Sequence, residues 1–153
     1  MSFLLDSGIL LRLADEHDPQ HDLVETAVGI LGNQREDLYI TTQNIAEFWN
    51  VATRPAVNNG LGLPPATVAG LFDDTIEPIC AVLVELDTLA VEFRRLLTKY
   101  DVIGKQVHDA RLVAMMVSWQ INNVLTLNER NFRRYEPEGL AVISPASLIT
   151  PGQ

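Results

Sequence analysis

Short apolar runs alternate with helix-spaced amphipathic segments along the whole chain, and this alternation restricts the fold more than any other feature of the sequence. Residues 2–5, 38–40, 79–86, 123–126 and 140–143 read as strands. The segments 7–14, 19–31, 42–52, 66–76, 87–100 and 106–120 read as helices, and 128–132 as a short turn or helix. Residues 54–65, rich in Pro, Gly and Asn, form the longest irregular stretch. Strands that alternate with helices imply parallel pairing with helices on both faces of the sheet. The expected fold is therefore α/β: one domain over 1–150, with a mostly parallel central sheet of four to five strands flanked by helices. The run 79–86 lacks polar alternation, so it is expected to be a strand buried on both faces.

Composition narrows the class. The chain has 153 residues, 47% of them hydrophobic and 20% charged, which suits one soluble globular domain. Its one cysteine, Cys80, cannot form an internal disulfide, and it sits in an apolar run as a small core residue would. No apolar run approaches the ~18 residues of a membrane span. The N-terminus meets an acid at Asp6 without a basic stretch before it, unlike a secretion signal. A cytoplasmic protein with no membrane partner is expected. The net charge is −9, so a nucleic-acid substrate would need a local basic patch, a divalent cation or a basic partner.

In an open α/β sheet the ligand site lies beyond the carboxyl ends of the strands, where strand order reverses. Three acids stand out near such positions. Asp109 falls within roughly 60° of Leu112, Val113 and Met116 on a helical wheel, so it interrupts the apolar stripe of its own helix. A carboxylate there must be paired, protonated or metal-bound; an N-terminal acid that turns back to cap free N–H groups is the plainer reading. Asp6 ends the first strand, where a helix cap is the ordinary role. Ser7 is a candidate cap for the same helix. Glu47 borders the apolar face of Ile45, Phe48, Trp49 and Ala52, where a boundary glutamate is common. Brought together, the three would repel one another without a cation, and oxygen-only ligands favour Mg²⁺ or Mn²⁺.

The segments Phe3-Leu4-Leu5-Asp6-Ser7, Thr42-Gln43-Asn44-Ile45-Ala46-Glu47-Phe48, Val107-His108-Asp109-Ala110 and Val124-Leu125-Thr126-Leu127-Asn128-Glu129-Arg130-Asn131-Phe132 occur in one order over nearly the whole chain. Together they resemble the PIN-domain family of nucleases, most of all the small VapC-type toxins and their standalone relatives. The resemblance implies a Mg²⁺- or Mn²⁺-dependent endoribonuclease that hydrolyses RNA phosphodiester bonds, with Asp6, Glu47 and Asp109 as catalytic and metal-binding acids. It also implies a homodimer, and an antitoxin partner if the chain is the toxin of a type II pair. The family's usual fourth acid is Asn131 here, with Glu129 close by as a substitute carboxylate. Thr126 matches a hydroxyl position that could hold a water on the metal. Gly8 stands where the family often has Asn, which would loosen the orientation of Asp6. Arg12 and Arg54 are candidates for phosphate contacts. His108 points about 100° away from Asp109 and reads as a surface residue. The alternative is a non-catalytic PIN-like binding or scaffold protein. An aspartyl-nucleophile phosphatase is weaker still, because it would want an acid at Gly8.

Overall fold

The computed structural model describes residues 1–149, so the expected boundary at 150 lies outside the described residues. The chain runs β1 (Ser2–Leu5), α1 (Ser7–Ala14), α2 (His21–Asn33), β2 (Asp37–Thr41), α3 (Thr42–Thr53), α4 (Pro65–Leu71), β3 (Ala81–Leu83), α5 (Leu89–Lys99), α6 (Val107–Trp119), β4 (Asn123–Leu125), α7 (Glu129–Arg133), β5 (Ala141–Ile143) and α8 (Pro145–Leu148). All five strands are parallel, in the order β3-β2-β1-β4-β5. The α/β reading holds, and every strand pair is parallel. No helix among the described residues is long and apolar enough to cross a membrane.

Successive side chains of a strand point to opposite faces, and β1 uses both. Phe3 and Leu5 pack with Ile9, Leu10, Val24, Val28 and Phe48, so one face carries the helices from the first part of the chain. Leu4 packs on the other face with Leu89, Leu96, Val113 and Met116 of α5 and α6. Phe3, Leu4 and Leu5 are 3%, 0% and 0% exposed, as the central strand of a two-faced sheet must be.

The helices begin and end where local chemistry dictates. Asp6, not Ser7, is the N-cap of α1: its carboxylate accepts from Ser7 N–H at 2.8 Å. Ser7 starts the helix, which frees its hydroxyl for another partner. α3 is capped by Thr41, and Asn44 closes a reciprocal box by accepting from Thr41 N–H at 2.8 Å. An amide there does what a glutamate usually does, so the cap is double. The helix expected over 66–76 is α4 followed by a π-helical turn at Phe72–Ile76.

Two expectations need correction. The run 79–86 forms only a three-residue strand, β3, at the sheet edge. Val82 and Val84 are 44% and 65% exposed, so the run is not buried on both faces. An edge strand has one neighbour, and apolar content alone cannot distinguish an edge from a centre. The helix expected from residue 87 begins only after Thr88, without a side-chain cap.

Cys80 is partly buried and donates to the Ile76 carbonyl at 3.3 Å; burial pushes its thiol up to about 11. It stays protonated and unreactive near neutral pH.

Candidate functional site

Strand order reverses at β1, which lies between β2 and β4. The register pairs Leu5 with Leu125. The next residue on each strand is therefore Asp6 and Thr126. Asp6 N–H continues the ladder to the Leu125 carbonyl at 3.0 Å, and Thr126 N–H does the same to Ile143. The Thr126 hydroxyl then donates to Asp6 Oδ2 at 2.8 Å, while Oδ1 takes Ser7 N–H. Both Asp6 oxygens are fixed although residue 8 is glycine, so its orientation does not depend on a side chain there.

Glu47 arrives from α3. Ser7 Oγ donates to Glu47 Oε2 at 2.7 Å, and Gln43 Nε2 donates to Oε1 at 2.7 Å. The other Gln43 N–H reaches the His108 carbonyl at 2.8 Å, which ties α3 to the start of α6 across the sheet edge. Asn44 Nδ2 donates to Ser7 Oγ at 3.1 Å, so the serine both receives and passes on a hydrogen bond. Gln43 Oε1 is left buried without a partner among the described residues. Ser7, Gln43 and Asn44 thus form a supporting layer behind the acids. Of the three, the sequence marks only Ser7, as a candidate helix cap; Gln43 and Asn44 lie within the segment that leads to Glu47.

Asp109 lies in the first turn of α6, among the apolar residues that its helical position implies. It lines one cavity of about 330 Å³ together with Asp6 and Glu47. Neither capping nor pairing holds it: its carboxylate accepts no hydrogen bond among the described residues, and α6 has no side-chain cap. Burial, then the charges of Asp6 and Glu47, push its carboxyl up to about 6. Asp6 is raised as well. Its burial dominates, against the hydrogen bonds from Thr126 and Ser7, and Glu47 adds to the rise.

The remaining candidates divide. Asn131 lines the same cavity and a larger neighbouring one of about 840 Å³. Arg12 is at the smaller cavity, near Asp18 at 3.6 Å. Glu129 is held by Arg133 at 2.8 Å on the surface of α7 and lines neither cavity. Thr126 is 0% exposed; besides Asp6 it takes Asn128 N–H at 2.9 Å. Arg54 donates to the Asn59 carbonyl at 3.2 Å within its own loop, away from the acids. His108 is exposed and reaches the larger cavity.

The donor set is hard and oxygen-only, which suits Mg²⁺ or Mn²⁺ better than zinc. Among the described residues no three His, Cys, Asp or Glu form a ready-made ligand group. Asp6 and Glu47 are turned toward the donors just described, and like charges do not converge unaided. Asp109, half-buried and without a donor, is the group that a divalent cation fits: it would offset the burial and the repulsion that raise its pKa.

The sequence matches the PIN domain family over residues 3–137. No curated protein sequence matches it. Among solved structures, the fold is similar to VapBC2 from Rickettsia felis bound to a promoter DNA fragment, with a TM-score of 0.72 at 14% identity over 94% of this chain and 98% of that one. It is also similar to VapBC-1 from nontypeable Haemophilus influenzae, with a TM-score of 0.65 at 16% identity over 95% and 99%. Mycobacterium tuberculosis VapC20, a toxin that cleaves the sarcin-ricin loop, gives 0.58 at 15% identity over 80% and 86%. With a family match that spans most of the sequence and every strand but the last, the chain belongs to the PIN domain family.

Proposed function

We propose that this protein is a divalent-metal-dependent endoribonuclease and that Asp6, Glu47 and Asp109 are its metal-binding and catalytic acids. The observation that carries the reading is Asp109: a half-buried carboxylate without a hydrogen-bond donor, facing two other acids at the point where strand order reverses. Burial and the two neighbouring acids disfavour its charged form, and a bound cation would offset both. Mg²⁺ or Mn²⁺ bound there would supply a positive charge that accepts phosphate and activates water for in-line attack on phosphorus. The chain's own residues do the rest. Thr126 and Ser7 N–H hold Asp6 in one rotamer, Ser7 and Gln43 hold Glu47, and the first turn of α6 presents Asp109. Asn131 offers a neutral carbonyl where a fourth acid would sit, which favours one firmly held cation over two.

The relatives described above are complexes with VapB-type partners or a toxin that cuts RNA, which supports RNA as substrate and an antitoxin as partner. A homodimer and a cytoplasmic location complete the proposal, with residues 1–150 acting as one functional module.

The test is Mn²⁺-dependent cleavage of single-stranded RNA by the wild type and by Asp6→Asn. The expected result is cleavage by the wild type only with Mn²⁺ or Mg²⁺, and a loss of about 100-fold or more in the variant, the scale expected when a group that stabilises transition-state charge is removed. Equal background activity in both proteins would leave the non-catalytic binding role instead.

A further inference from the structure

A chain of net charge −9 must draw a polyanion to its acidic cleft with only a few of its basic residues. Most of these are engaged elsewhere. Arg95 and Lys99 bind Glu138, Arg133 binds Glu129, and Arg111 binds Glu85. Arg134 donates to the Tyr100 carbonyl and to Gln106, and lies over the Tyr135 ring. Arg12 is held between Gly8 O and Asp18. Four make no ion pair or side-chain hydrogen bond among the described residues: Arg35 and Arg94, which line none of the cavities at the acids, and Lys105 and Arg130, both exposed, which do.

The last two share one place in the fold. Lys105 lines the 840 Å³ cavity, and Arg130 lines a third, smaller one of about 140 Å³. Asp109 and Asn131 line both, so the two cavities meet at the acidic centre. Lys105 belongs to the turn that leads into α6, and Arg130 to α7. Each presents an exposed cation at a cavity that the unpartnered carboxylate also lines, and each can take a phosphate without giving up a protein partner.

Building on the ribonuclease reading, we propose that Lys105 and Arg130 are the substrate-gripping residues: they hold backbone phosphates of a single RNA strand that crosses the α6–α7 rim next to the scissile bond. The strand's contacts are then lopsided. They lie over α6 and α7, where the cations are free, rather than over α1, where Arg12 is already held. Gln106 and Asn131, which line both cavities, add neutral amides there, so Asp109 is the one carboxylate common to the two.

The experiment compares Lys105→Ala, Arg130→Ala and the double variant with Arg133→Ala, which removes one exposed charge that lines none of these cavities. Binding of a labelled single-stranded RNA oligonucleotide is read by fluorescence anisotropy without added metal, over a series of salt concentrations. Cleavage is then read with Mn²⁺. Each single variant is expected to raise Kd and KM about 5- to 10-fold with kcat within about twofold, and to flatten the slope of log Kd against log salt by about 0.7. Arg130→Lys and Lys105→Arg are expected to keep most of the affinity, because the contact is one of charge. A double variant that binds as the wild type does, or no worse than Arg133→Ala, overturns the assignment while leaving the nuclease reading intact. A wild type that neither binds nor cuts the RNA overturns both.

Discussion

Asp109 carries a cost that the fold alone does not relieve. Its carboxyl is raised to about 6 from an ordinary 3.8, first by burial and then by Asp6 and Glu47. A carboxyl raised in the folded state binds its proton more tightly there than in the unfolded chain. Stability is then highest below about pH 4 as far as this group goes, and is lost as pH rises through 6. Asp109→Asn removes the charge and keeps the shape. Without metal at pH 7.5 the variant is expected to be more stable than the wild type by about 1 kcal/mol, a value discounted for solvent screening and for a new amide that also lacks partners. The gain should vanish below about pH 4, where the wild type is protonated. Urea titration of both proteins at the two pH values checks this, and a variant less stable than the wild type at pH 7.5 would contradict it. The same residue shows how far a sequence can be read. Asp109 is visible because it breaks an apolar stripe, and Asp6 because it ends a strand. Glu47 is visible chiefly through resemblance to the PIN family. Gln43 and Asn44 are not visible as links between elements, because their hydrogen bonds to His108 and Ser7 span 65 and 37 positions. Nothing in the local pattern specifies such pairings.

At the scale of elements, short range again decides what is legible. The helices of 7–14 and 42–52 keep their expected places because caps and apolar spacing are local. The 79–86 run does not, because its place at the edge depends on which strand it pairs with. The connection between α5 and β5 is held by another long-range feature. Glu138, just before β5, accepts from Arg95 at 2.5 Å, Lys99 at 2.7 Å and Tyr100 at 2.7 Å, all from the end of α5 or just beyond. Chiefly the Arg95 guanidinium holds its carboxyl down at about 2. Here the sign is opposite to that of Asp109. The stabilisation is present above the ordinary 4.5 and is lost as pH falls toward 2. Glu138→Gln is expected to lower stability at pH 7 by about 1 kcal/mol, the small value that suits partners open to solvent. Between pH 5 and 2 the wild type should lose more stability than the variant, so that the two melting curves converge. Parallel curves across that range would mean that the network holds nothing together.

At the scale of the whole molecule, the acids come from three separate parts of the fold. Asp6 follows the central strand, Glu47 stands on a helix that packs on one face of the sheet, and Asp109 stands on a helix of the other face. The Gln43 link to His108 is one tie between the faces at this edge. A cation held by all three acids would add a second tie, and it would exist only when the whole domain is folded. Binding to the folded state alone stabilises by about 2.7 kcal/mol at a ligand concentration of 100 times Kd. For a domain of this length that is a rise of roughly 5–10 °C in Tm, since ~1 kcal/mol corresponds to about 2–4 °C. The expected outcome is a saturable rise in wild-type Tm with Mn²⁺ and a much smaller one in Asp109→Asn, although that variant starts from the higher metal-free value. Crossing of the two proteins' stabilities on adding Mn²⁺ is something general ion binding to an acidic surface does not produce, because removing one of its 20 acids would scarcely alter that effect. Equal shifts in both proteins would place the ion elsewhere on the surface, and the cleft would then need another neutralising partner for Asp109.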